Sequence, residues 1–233
     1  MLSARRPNVI VNVAMSADGK IDTVARQGAA ISSPEDKARV DRLRASVDAV
    51  LVGGRTLVHE DPRLTVKSAK LRRERKAAGQ PENPTKVGVV SVADLKPDGA
   101  FLAAGPARKL IFTTRRSPPE LIKKLEQAGA EVFVAGEKAV NLKAILHTLG
   151  DLGIRSVMVE GGGTLIAEFL RLDLVDDLYT YIAPRLFGGS TAPTLADGPG
   201  FLPSRTPRLK LVSVERFDPA GGVLIHYRIQ HTR

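Results

Sequence analysis

The chain has 233 residues, 43% of them hydrophobic, enough for one domain with a sizeable core. No apolar run approaches the roughly 18 residues of a membrane-spanning helix, and the absence of cysteine removes disulfides, thiolate zinc sites and cysteine nucleophiles together. A formal net charge of +10 points to anionic partners, but 4% aromatic content without tryptophan argues against stacking platforms for nucleic acid, so phosphate-bearing small molecules are favoured.

In chain order, the start MLSARRPNVIVNVAMS is too interrupted for a signal peptide, and a cytoplasmic protein is expected. NVIVNVAMS (8–16) is a short valine-rich run that predicts a buried strand. SSPEDKARVDRLRAS predicts a helix, with Ser33 as its cap, Pro34 in its first turn, and apolar residues at 38, 40, 43 and 47 forming one buried stripe. DAVLVGG (48–54), TKVGVVSV, KLIFTT, EVFVAG, IRSVMVE and DDLYTYIAP predict further strands. SPPELIKKLEQAG, NLKAILHTLGDLG and TLIAEFLRLDL predict the helices among them. The polar stretch 69–86 reads as an excursion between strands, its KLRRERK cluster as a solvated helix face or loop. The tail predicts a hairpin around DPAGG. Helices alternating with short apolar strands imply a mostly parallel α/β sheet flanked by helices, with an antiparallel C-terminal hairpin, in a single domain over 1–233.

Two predicted strand ends run into glycines, a threonine and a helix: LVGGRTL at Gly53–Thr56 and VEGGGTL at Gly161–Thr164. A glycine corner at the carboxyl end of a strand lets backbone N–H groups approach an anion, and two such corners suit the diphosphate of a dinucleotide. Neither fits G-x-G-x-x-G, because Ile166 stands where the last glycine belongs, and neither is a P-loop. LVHEDPRLTV places Glu60, Asp61 and Arg63 on a proline turn beside the first corner, and FTTRRS leaves a strand with Arg115, a candidate for an adenosine 2′-phosphate. The histidines at 59, 147, 226 and 231 have no metal spacing, and no G-x-S-x-G elbow is present. Chemistry carried by an organic cofactor is consistent with such a chain.

NVAMSADGKIDT, ISSPEDKARVDRLRASVDAVLVGGRTLVHEDPRLTV, VMVEGGGTLIAEFLRLDLVDDLYTYIAPRLFGG and APTLADGPGF together resemble the riboflavin-biosynthesis reductases, above all their stand-alone archaeal type. The resemblance runs from about residue 8 to the end of the chain. It implies a dihydrofolate-reductase-like fold, a homodimer, and NADPH (NADH as the alternative) as hydride donor to C1′ of a ribosylaminopyrimidine phosphate. Carried onto this chain, it assigns the cofactor to Ala14, Ala30, Thr56, Glu60, Ser91 and the corner Gly161, Gly162, Gly163 and Thr164. It assigns the pyrimidine and ribose phosphate to Gly28, Arg44, Leu64, Lys67 and Glu160, and a catalytic polar pair to Asp18 and Lys20. Arg44 and Lys67 suit a phosphate, and Glu160 suits the amino edge of a pyrimidine. The chain departs from the family pattern at Glu60, where aspartate is common, at Ala30, where some relatives carry an aromatic, and at Ser91-Val92 and Leu95, where Asp-Ser and an arginine are usual. The absence of a cysteine-bearing deaminase motif favours a substrate that keeps its 2-amino group. The alternatives are the deaminated substrate, a dihydrofolate or pterin reductase, and a phosphate- or nucleic-acid-binding module.

Overall fold

The computed structural model describes residues 6–231. Its elements in chain order are β1 (Asn8–Ser16), α1 (Pro34–Ser46), β2 (Ala49–Gly53), α2 (Ala69–Ala77), β3 (Thr85–Val89), α3 (Ala100–Ala103), β4 (Lys109–Thr113), α4 (Pro119–Gln127), β5 (Glu131–Val134), α5 (Leu142–Asp151), β6 (Ser156–Val159), α6 (Gly163–Arg171), β7 (Asp177–Ala183), β8 (Arg208–Arg216) and β9 (Val223–Gln230). A π-helical turn occupies Thr56–Glu60. The chain divides into two compact units: one holds the described residues up to Asn8 with Asp41–Met158, the other Val9–Val40 with the described residues from Val159.

In the first unit the strands follow the order β5-β4-β3-β2-β6, and β2–β3, β3–β4 and β4–β5 are parallel. Continuous apolar runs mark strands covered on both faces, and all five residues of β2 are buried. The helix α5 shows why its segment is helical. Asn141 caps it by accepting the Ala144 amide at 3.1 Å, and Leu142, Ile145, Leu146 and Leu149 form one buried stripe. The second unit orders its strands β1-β7-β9-β8, with β1–β7 parallel and β7–β9 and β8–β9 antiparallel. Its core gathers Ile31, Tyr181, Ala183 and Leu224, with Phe187 and Phe217 packed beside them. The Tyr181 hydroxyl donates to Asp218 at 2.6 Å, and the Gly222 amide donates to the same carboxylate at 2.9 Å, which fixes the hairpin turn. A Cβ at Gly222 would lie 2.5 Å from both the Asp218 and the Tyr181 oxygens, so only glycine fits. The mostly parallel α/β class with an antiparallel C-terminal pair is as expected.

Two expectations are corrected, and one helix is unforeseen. The expected α1 stripe holds in part: Val40 and Leu43 are half-buried and Val47, just past the helix, is buried, but Ala38 is exposed and two acids bury as well, Asp36 (0% exposed) and Asp41 (7%). Each is turned inward by a polar partner, Arg39 at 2.7 Å from Asp36 and the Lys67 and Ser68 amides for Asp41. The 69–86 excursion contains the helix α2, and KLRRERK is not solvated throughout. Arg75 is 4% exposed and donates to the carbonyls of Pro81, Ala45 and Val47, closing the end of α1. The four-residue α3 has no counterpart in the sequence reading; Asp61 creates it by accepting the Ala100 and Phe101 amides at 2.6 and 2.8 Å.

Candidate active site

In the second unit, the corner after β6 has a different cause for each glycine the structure explains. Gly161 has φ +140°, a region open chiefly to glycine. Gly163 sits against a neighbouring segment: a Cβ there would be 2.2 Å from the Thr194 carbonyl oxygen. Gly162 stands at the N-cap of α6 with an extended backbone and no side-chain cap, so the helix presents uncapped N–H groups at the carboxyl end of a strand. The segment on Gly163 is itself held. Asp197 accepts from the Thr194 amide and hydroxyl at 2.9 and 2.8 Å and donates its own amide to the Gly163 carbonyl at 3.2 Å.

The same segment reaches the predicted catalytic pair. Lys20 bridges Thr194 in an antiparallel pairing, and the Ile21 amide donates to Pro193 at 2.9 Å. Thr194 therefore stands between Lys20 and the glycine corner, and the two predicted groups are brought together. Asp18 accepts the Ser16 hydroxyl at 2.6 Å and the Phe187 and Gly188 amides at 3.1 and 2.7 Å. Led by the Ser16 hydroxyl, these donors hold its carboxyl at about 2, below its ordinary 3.8. A carboxylate so held accepts protons poorly and has none to give at neutral pH. Gly28 adopts φ +80° and donates to Asp22 at 2.9 Å, and the Ala30 carbonyl accepts Arg185 at 3.0 Å. Ala14 is half-buried among the core residues, and Glu160 is half-buried at the start of the corner.

The first unit carries the remaining predicted residues. Thr56 and Glu60 open and close the π-helical turn after β2, half-buried and exposed respectively. The turn ends at Asp61 in the left-handed region, φ 43°. Arg44 donates to the Thr65 carbonyl at 3.2 Å, and the Lys67 amide donates to Asp41 at 2.6 Å, so Arg44 and Lys67 meet on one segment. Leu64 is 1% exposed at φ +49°, so it belongs to the core. Ser91 and Arg115 lie at neighbouring strand ends, linked through Thr114, whose hydroxyl donates to the Ser91 carbonyl at 2.6 Å. Arg115 is exposed and paired with Glu137 at 2.7 Å. A cavity of about 840 Å³ opens between the π-turn, the 94–102 segment and α4, walled by Leu57, Val58, Leu95, Phe101 and Leu121. None of the predicted contact residues lines it.

Sequence reasoning passed over Ser16, Asp22, Thr194 and Asp197. Asp22 accepts the Thr23, Gly28 and Ala29 amides at 2.7, 2.9 and 2.9 Å and shapes the loop that carries Gly28. The available signal was the run APTLADGPGF, which holds both Thr194 and Asp197. Among the described residues no group of His, Asp or Glu side chains could hold a metal, and no helix is long and apolar enough to cross a membrane.

The chain is 45% identical over 95% of its length to a 2,5-diamino-6-ribosylamino-4(3H)-pyrimidinone 5′-phosphate reductase of Archaeoglobus fulgidus, covering 99% of that protein. It is 42% identical over 84% of its length to the reductase of the same name from Methanothermobacter thermautotrophicus, covering 86% of it. Its fold matches the RibD structure from Acinetobacter baumannii with a TM-score of 0.79 over 97% of this chain and 58% of that one, at 24% identity. Residues 7–221 match the family model of the RibD C-terminal domain, and the chain belongs to that family.

Proposed function

We propose that the chain, as one reductase domain over residues 1–233, reduces 2,5-diamino-6-ribosylaminopyrimidinone 5′-phosphate to its ribitylamino counterpart in riboflavin biosynthesis. The observation that carries this reading is the 45% identity to the Archaeoglobus fulgidus reductase across 95% of the chain. NADPH is the proposed cofactor, and the donor set fits a dinucleotide. In the second unit the uncapped N-terminus of α6, the Thr164 hydroxyl and the backbone of the corner after β6 offer N–H and O–H donors suited to a diphosphate; in the first unit the Thr56 hydroxyl and the corner after β2 offer donors of the same kind. When bound, the reduced nicotinamide supplies a hydride.

The chain's own residues bind, orient and protonate. Arg44 and Lys67 would hold the ribose phosphate, and Glu160 the amino edge of the pyrimidine. Hydride addition to C1′ of the ring-opened imine requires one proton at the adjoining nitrogen. Lys20 is the proposed proton donor, placed beside the glycine corner by its pairing with Thr194, whereas the ionised Asp18 accepts three hydrogen bonds and so serves to shape the loop that presents Lys20. Arg115 is held by an exposed ion pair, which is weak enough to exchange for a 2′-phosphate.

A homodimer and a cytoplasmic location complete the proposal. For the homodimer, β8 is exposed along all nine residues and includes Leu209, Leu211, Val212 and Val214 at a sheet edge, a surface that suits a second copy. Light scattering on the purified protein tests this: a monomer mass ends it. The catalytic reading is tested by following NADPH consumption with the diamino substrate and with its deaminated counterpart, and again with NADH. Turnover of the diamino compound is expected. Preference for the deaminated compound would move the enzyme behind a deaminase, and preference for NADH would overturn the cofactor assignment.

A further inference from the structure

We infer that Asp41 is the positioning residue of the phosphate site: it holds Lys67 in place by its backbone and so fixes where the lysine charge meets the substrate. The inference rests on the proposal that Arg44 and Lys67 receive the ribose phosphate. The segment 65–68 lies in neither helix nor strand, so no ladder of its own sets its path. Side chains from elsewhere in the first unit take its backbone groups instead. The Thr65 carbonyl accepts Arg44 at 3.2 Å, the Val66 amide donates to Asn83 at 2.9 Å, and the Val66 and Lys67 carbonyls share the Arg72 guanidinium at 2.8 Å each. The Lys67 and Ser68 amides donate to the two oxygens of Asp41 at 2.6 and 2.8 Å.

Asp41 stands out within this set. It is 7% exposed, and both carboxylate oxygens are spent on consecutive amides. It precedes Arg44 by three residues on α1, so the two project from the same side of the helix. One helix thus supplies one phosphate ligand directly and anchors the other. A lysine is a point charge on a flexible stem, and its selectivity for one position depends on how firmly its backbone is held. A carboxylate near a phosphate site would be a liability by charge alone, because removing it would attract the anion. Asp41 is therefore expected to act by geometry, and the two roles give opposite signs on substitution.

The test compares Asp41→Asn, Arg72→Met and Lys67→Ala on the phosphorylated substrate and on its dephosphorylated nucleoside, with inorganic phosphate as a competing ligand. An asparagine keeps one acceptor and faces the second amide with a donor. Loss of that charge-assisted bond is expected to raise KM for the phosphorylated substrate about tenfold. Under the inference, KM for the nucleoside, KM for NADPH and kcat stay within about twofold, inhibition by phosphate weakens in parallel, and adding Asp41→Asn to Lys67→Ala has little further effect. Arg72→Met gives the same pattern from the carbonyl side and serves if Asp41→Asn does not fold. A lower KM in Asp41→Asn, or equal losses on phosphorylated and dephosphorylated substrates in both clamp variants beside a phosphate-selective Lys67→Ala, overturns the inference. A Lys67→Ala enzyme with no phosphate-selective defect overturns the phosphate reading beneath it, and the inference with it.

Discussion

After β2 the chain reads Gly53-Gly54-Arg55-Thr56, and after β6 it reads Gly161-Gly162-Gly163-Thr164. The two corners look alike on paper and are built differently. At Gly163 the protein fills the space a side chain would need, with the Thr194 carbonyl 2.2 Å from where a Cβ would stand. At Gly54 the nearest atom to such a Cβ is the Val89 carbonyl oxygen at 3.5 Å, ordinary contact distance. The β6 corner is closed by a distant segment, 193–197, whereas the β2 corner runs into a π-helical turn whose exit is tied down by Asp61 at α3. A glycine in a sequence reports that something comes close, or that the backbone turns left-handed. It does not say whether the neighbour is a ligand or the protein itself.

The largest expected effect is at the crowded corner. Gly163→Ala forces a backbone carbonyl to move, and overpacking of that kind costs about 3 kcal/mol or more. Thermal unfolding should show a fall of about 6 to 12 °C. A melting point within a degree of wild type would mean that the 193–197 segment is free to step aside, and the contrast between the corners would collapse. Next is the tie on the other corner. Asp61→Ala removes both acceptors from the α3 N-terminus and is expected to cost about 1 to 2 kcal/mol in denaturant unfolding. A null result would show that α3 does not depend on the π-turn.

A third test uses pH on the β6 side. Asp18 titrates at about 2 in the folded protein against an ordinary 3.8. Because the folded value is the lower one, its stabilisation is complete above the ordinary value and is lost as pH falls from 3.8 towards 2. Comparing unfolding at about pH 5 and about pH 3, wild type should lose more stability than Asp18→Asn. Equal losses would show that the loop does not depend on the charge. The smallest effect belongs to the open corner: Gly54→Ala should change stability by no more than about 0.5 kcal/mol. If NADPH affinity falls while stability holds, the space at Gly54 is kept for the cofactor. If neither changes, the cofactor does not approach there.

Much of this was legible in advance. The strands announce themselves as apolar runs, and α5 by leucines and isoleucine at helical spacing, because burial of apolar surface is the strongest periodic signal in a sequence. The glycine corners and Arg115 were read from the residues at strand ends and the rest of the candidate site from motif resemblance, and the structure joins several of them in pairs: Lys20 with the Gly163 corner, Arg44 with Lys67, Ser91 with Arg115. What resisted reading was polar. The α1 helix buries Asp36 and Asp41 besides its apolar positions and leaves Ala38 exposed, and Arg75 lies inside a cluster that looked solvated.

The sequence by itself determined the fold class, the order of the strands and of the helices other than α2 and α3, the two glycine corners and the family. Only the tertiary structure decided which glycine is crowded by the chain, that Asp18 is an ionised acceptor, and that segment 65–68 is shaped by Asp41, Arg72 and Asn83. The reason is physical. Apolar burial repeats along the chain with the period of the element that makes it. A side chain that holds a distant backbone follows no period; Asp41 reaches Lys67 across 26 residues and Asp61 reaches Ala100 across 39. Such bonds exist only once the fold has brought their ends together.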